Sequence, residues 1–205
     1  MLVEQRKLPV VESMATMKKL EERPEEFWKG VDTISFNPFK NFFLQKITIP
    51  KSVKFLDQAF KDNISLKRVK FESFAYVGAL SFKNCKALEK VSGKFVTYIG
   101  EEAFSGCPNL KKVYIPNAKR IEKNAFRDDK NLEILDMPCV DYIGDGAFSG
   151  CPKLKVKCYP WQSVLFENVF DQKQLVQVTK EDVEAYRTLL KDNEIERKSR
   201  LGKEM

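Results

Sequence analysis

Three cysteines recur in register: Cys85, Cys107 and Cys151 are separated by 22 and 44 residues. Thiols stacked at a fixed repeat could hold a soft metal or exchange disulfides. The chain has no histidine, however, which removes His-based triads, His–Cys nucleophiles and His-containing metal sites together. Cys139 and Cys158 fall outside the register, no C-x-x-C pair exists, and five cysteines make neither a zinc ribbon nor a complete disulfide framework. The same column also holds Asn63 and Asp129. It reads as small buried polar residues that satisfy backbone groups at a turn. Reduced thiols fit a cytoplasmic setting. With no phosphate-cradling Gly-rich loop and no nucleophile–base pair, an enzyme is not expected, and neither is a cofactor or metal.

Cations recur at the same interval. Lys46, Arg68, Lys90 and Lys112 share one column, which turns apolar at Ile134 and Val156. The neighbouring column contains Thr48, Lys70, Ser92, Tyr114 and Asp136, and a third contains Lys54, Tyr76, Tyr98, Arg120 and Tyr142. If these columns face solvent, a basic stripe lies beside exposed tyrosines. Like charges stacked across strands cost stability, so four in register exceed what solubility needs. The formal net charge of +7 is too small to imply nucleic acid by itself, but it is concentrated: residues 33–160 carry 22 Lys/Arg against 13 Asp/Glu. The expected contact residues are Lys46, Arg68, Lys70, Lys90, Lys112, Tyr114 and Ile134. Their basic members would steer an acidic protein surface, and Tyr114 and Ile134 would anchor it. The alternative is a binder of nucleic acid or anionic lipid headgroups, which would show steep salt dependence.

The elements that position these columns repeat with them. Phe60, Phe82, Phe104, Phe126 and Phe148 are each 22 residues apart, as are Leu66, Leu88, Leu110, Leu132 and Leu154, with Leu44 one step earlier. A small residue precedes each Phe (Ala59, Ser81, Ala103, Ala125, Ala147), and Phe55, Val77, Ile99, Ile121 and Ile143 open the units. Such periodicity means a solenoid. Within a unit, "IGEEAF" suits a short helical turn, "SGCPNL" redirects the chain, and "KKVYIP" alternates as a strand with Val113 and Ile115 inward. Gly93 stands where a second inward apolar residue is expected, which suggests a local bulge. The pattern I-G-x-x-A-F-x-x-C-x-x-L-x-x-V-x-I-P resembles the BspA-type leucine-rich repeats over residues 33–160, about five and a half units. That resemblance implies an α/β repeat solenoid with one curved parallel sheet and short helical turns. It also implies a scaffold for protein binding.

The flanks complete the expectation. Val10, Val11, Met14, Met17 and Leu20 recur at helical spacing, so residues 1–32 read as an N-terminal helical cap plugged by Phe27 and Trp28. Residues 161–205 read as a C-terminal cap, with Thr179 and Asp182 starting a helix whose face carries Val183, Tyr186, Leu189 and Leu190. The charged N-terminal segment lacks a leader's apolar region, and no apolar run is long enough to span a membrane. One short peptide is more specific. Lys67-Arg68-Val69-Lys70-Phe71 resembles the docking motif of type-1 protein phosphatase regulators, which implies that phosphatase's catalytic subunit as a partner; Lys51–Phe55 is a second match. Such docking needs an accessible strand whose Val and Phe enter pockets. The repeat columns instead predict Val69 and Phe71 to be buried. Self-association is left open.

Overall fold

In the computed structural model, residues 28–73 and 75–201 are described, the side chains of 196–201 excepted. The repeats wind into a solenoid wall of two parallel sheets rather than one curved sheet. Six strands form the first: β1 (Thr33–Ser35), β3 (Phe55–Asp57), β5 (Tyr76–Val77), β7 (Tyr98–Ile99), β9 (Arg120–Ile121) and β11 (Tyr142–Ile143), in that spatial order. Seven form the second: β2 (Lys46–Ile49), β4 (Arg68–Phe71), β6 (Lys90–Ser92), β8 (Lys112–Tyr114), β10 (Ile134–Leu135), β12 (Lys155–Cys158) and β13 (Leu175–Gln177). From β1 to β12 the strands alternate between sheets along the chain, and every pairing is parallel and joins one coil to the next.

The third side of each coil corrects the expected helical turn. In "GEEAFSG" the amides of Glu102, Phe104 and Gly106 donate to the carbonyls of Lys123, Ala125 and Arg127 in the next coil. A helix would direct those amides four residues back along its own chain. The backbone turns them outward by placing two residues per coil in the left-handed region: Gln58 and Asp62, Leu80 and Asn84, Glu102 and Gly106, Asn124 and Asp128, Gly146 and Gly150. Asn, Asp and Gly tolerate that region, which suits the second of these columns.

The core is a ladder of rings. Phe39, Phe60, Phe82, Phe104, Phe126 and Phe148 stack within 8° of parallel, with centroids 4.7 to 5.3 Å apart. That spacing matches strand-to-strand distance, so each coil lays one ring on the last. Trp28 packs on Phe39 with centroids 6.4 Å apart and closes the first coil. Phe27 and the apolar residues of the expected N-terminal helix lie outside the described residues. At the other end the expected cap proves to be partly another coil: Phe170 stands over Phe148 at 5.2 Å, and β13 pairs with β12. The 22-residue step from Phe148 to Phe170 was visible in the sequence, but the strand and leucine columns around it are displaced. Helix α1 (Ser163–Glu167) occupies the place of a first-sheet strand in this coil.

Two local expectations change. Val77 pairs with Leu56, not Phe55, because coil two has three residues between its inward strand residue and its ring where other coils have four. Leu56 is therefore buried and Phe55 is 53% exposed. Gly93 makes no bulge, since Lys90, Val91 and Ser92 pair without interruption on both sides. A Cβ there would stand 2.5 Å from Val96 Cγ2 and 3.1 Å from Phe71 Cδ2. The missing side chain makes room for the large Phe71 of the neighbouring coil.

Helix α2 (Lys180–Leu201) then runs back along the corner between the sheets. Thr179 and Asp182 cap it reciprocally: the Thr179 amide donates to Asp182 Oδ2 at 2.9 Å, and the Asp182 amide to Thr179 Oγ1 at 3.2 Å. Its contacts step from coil to coil: Tyr186 lies against Trp161 with centroids 4.9 Å apart, Asn193 Nδ2 donates to Asn117 Oδ1 at 2.6 Å, and Asp192 meets Lys94 at 2.8 Å. Leu189 is buried on this face, while Leu190 is exposed. Among the described residues no helix is long and apolar enough to cross a membrane.

Candidate binding face

The outward residues of the second sheet bring the expected contact residues together. Its pairing register runs Lys46, Arg68, Lys90, Lys112, Ile134 and Lys155, one per coil. Beside it runs Thr48, Lys70, Ser92 and Tyr114. All seven sequence-nominated residues are exposed on this face, with Tyr114 at 50% and Ile134 at 61%. Val156 is not part of the first column. It is buried and pairs with Leu135, because the last repeat is one residue shorter before its strand, and Lys155 stands in the column instead.

Toward the N-terminal end, the cations on this face are not compensated among the described residues. Among the described residues, Lys46, Arg68, Lys70, Lys90 and Lys112 enter no ion pair and no side-chain hydrogen bond. Adjacent rungs are about 4.8 Å apart, so each cation faces another across the ladder. Immediately before the strands the exposed residues alternate as Lys67, Glu89, Lys111 and Glu133, a neutral edge to a positive strip. Toward the C-terminal end the face changes character. Lys157 joins Asp136 at 3.4 Å and also pairs with Asp182 of α2. Partial burial works against the Lys157 charge, but the bonds to Asp182 and Asp136 outweigh it and hold the ammonium above its usual range. Between the two regions lies a shallow depression of about 490 Å³ lined by Lys90, Lys112, Tyr114, Ile134 and Asp136.

The tyrosines are elsewhere. Phe55, Tyr76, Tyr98, Arg120 and Tyr142 form the outward column of the first sheet, so they are not beside the basic stripe. Lys54 precedes this column, and Phe55 takes the place expected for it, through the same short coil that buries Leu56. Tyr76 and Tyr98 stack at 3.8 Å, and the Arg120 guanidinium lies 4.0 Å over the Tyr142 ring.

The cysteine column does what small buried polar residues do. The thiols of Cys85, Cys107 and Cys151 donate to the carbonyls of Phe60, Phe82 and Phe126 at 3.0 to 3.2 Å. Burial pushes the Cys85 and Cys151 thiols up to about 12, so they remain protonated. Among the described residues no group of His, Cys, Asp or Glu is placed to hold a metal, and all five cysteines are unpaired. In the peptide Lys67–Phe71, Val69 and Phe71 are 2% and 4% exposed, pointing into the core as the repeat columns require. Lys67, Arg68 and Lys70 remain accessible.

A family model described as the BspA type leucine rich repeat region matches residues 32–155 in six copies. No curated protein matches the chain. Among solved structures, a leucine-rich repeat protein from Bacteroides ovatus is similar, with 26% identity and a TM-score of 0.58 over 73% of this chain and 43% of that one. One from Eubacterium ventriosum is also 26% identical, with a TM-score of 0.53 over 59% of this chain and 34% of its own. The chain thus spans less than half the length of these two neighbours.

Proposed function

The chain belongs to the BspA-type leucine-rich repeat family, and from that premise we propose that it is a non-enzymatic protein-interaction module whose second sheet receives an acidic partner segment. One observation carries the reading. Four cations, Lys46, Arg68, Lys90 and Lys112, are stacked in register with no compensating partner among the described residues. A bound acidic segment would remove the mutual repulsion that the folded chain leaves in place. The exposed part of Tyr114 and Ile134 offers the apolar contact that such a segment needs to stay bound, because exposed charge pairs alone contribute little affinity.

A type-1 protein phosphatase catalytic subunit fits this reading only through Arg68 and Lys70 on the surface. With Val69 and Phe71 in the core, docking as an extended strand would require β4 to leave its sheet. The test is capture from cell extract and from purified phosphatase, comparing wild type with Lys90→Glu/Lys112→Glu. A protein retained by the wild type and lost by the folded variant supports the module. Equal capture by both would overturn it. Retention of RNA or anionic vesicles alone, lost at high salt, would favour the polyanion alternative.

A further inference from the structure

The column of small polar residues contains one that breaks its own rule. In Asn63, Cys85, Cys107 and Cys151 the side chain donates to the ring-ladder carbonyl of the preceding coil: Phe39 at 2.6 Å, then Phe60, Phe82 and Phe126. The fifth member is Asp129, and the carbonyl it should serve is that of Phe104, 25 residues back as for the three thiols. No hydrogen bond reaches the Phe104 carbonyl among the described residues. Asp129 is fully buried; its Oδ1 accepts the Cys107 amide at 2.8 Å, and its Oδ2 has no partner. One orphan acceptor therefore stands in the column where a donor is required.

An ionised carboxylate has only acceptors to offer, whereas a carboxylic acid carries one O–H donor. We propose that Asp129 is held as the neutral acid and that its proton closes the Phe104 carbonyl, so the joint between the fourth and fifth coils is kept shut by one proton. Asn63 shows the same arrangement with an amide: its Oδ1 accepts the Ser65 and Leu66 amides while its Nδ2 donates. The surroundings favour the neutral form. Burial raises the affinity of Asp129 for its proton, and Asp128 on its own turn adds to it. The Cys107 amide and Lys86, two coils back, oppose this, but Lys86 is engaged with the Gly106 carbonyl at 2.9 Å. The thiols of Cys107 and Cys151, on the coils either side, are themselves neutral.

The joint is the step at which the binding face changes from Lys112 to Ile134, but the proton can be tested without any partner. At neutral pH, infrared spectra of the wild type should contain a buried carboxylic-acid carbonyl band that Asp129→Asn lacks. Denaturant unfolding should show the two proteins diverging with pH. Relative to Asp129→Asn, the wild-type folding constant should fall by up to about tenfold per pH unit above about 4, until the buried acid ionises. Absence of the infrared band, or a stability gap that does not vary with pH, would overturn the proposal. If the variant fails to fold, loss of the wild-type band on raising pH decides the question alone.

Discussion

The two sheets are built by the same repeat and wear opposite surfaces. On the first, each exposed side chain finds its neighbour: Tyr76 stacks on Tyr98, Phe55 leans on Tyr76 at 5.9 Å, and Arg120 covers Tyr142. On the second, Lys46, Arg68, Lys90 and Lys112 face one another with no ion-pair partner among the described residues. A parallel solenoid forces identical positions into contact at strand spacing, so a column either satisfies itself or carries its frustration. Rings and a cation over a ring are satisfied by stacking. Four cations are not, and the face that remains frustrated is the one with something to gain from a partner. The contrast extends along the second sheet itself, where Lys157 is held between Asp136 and Asp182, while Lys70, nearer the N-terminus, enters no ion pair among the described residues.

Changes that break this comparison differ in size. Replacing Phe104 by Ala removes a rung shared by both faces, and it should cost about 3–5 kcal/mol as a buried aromatic truncation. An unaltered melting temperature would show that the ring ladder does not support the sheets. Reversing Lys90 and Lys112 to Glu should leave the fold intact and weaken capture of an acidic partner at least tenfold, about 1.4 kcal/mol. Binding isotherms at two salt concentrations would check it. Tyr98→Ala is the converse. It should lose about 1 kcal/mol of stability beyond the area it exposes, with partner capture unchanged; a variant that folds normally but no longer binds would move the binding face to the first sheet.

The smallest effect concerns acid. Asp182 lies below its usual carboxylate range because it accepts the Lys157 hydrogen bond and the Thr179 amide. A lowered folded value means that its stabilisation is present above the unfolded pKa of about 3.9 and is lost as pH falls through the folded value. Both partners are partly exposed, so screening keeps the contribution below about 1 kcal/mol. Faster amide exchange in α2 below pH 4, abolished as a difference in Lys157→Ala, would confirm the tie. This runs opposite to Asp129, whose raised value makes acid stabilising.

Much of this was legible because a fixed period converts sequence columns into spatial ladders. Phe60 to Phe148 at steps of 22 mark the core, and Lys46 to Lys112 mark an exposed strip. The period could not reveal a single deleted residue inside a coil, which moves Leu56 inward and Phe55 out, or the shortened approach to β12 that replaces Val156 by Lys155. Nor could it distinguish a helical turn from the third side of each coil. Apolar spacing in "IGEEAF" fits both, and the choice depends on where the amides of Glu102 and Phe104 find acceptors, which is the next coil. The spacing defines the tyrosine column but not its neighbour, since nothing in it says which sheet a two-residue strand joins.

By itself, then, the sequence determined the repeat, its inward rings and the cations that share a column, because side-chain type and interval survive without knowledge of the path. Only the tertiary structure decided how many sheets the coil makes, which columns lie side by side, and where α2 is tied. Those depend on backbone hydrogen bonds between residues some twenty positions apart, and an amide's partner leaves no mark in its own residue type.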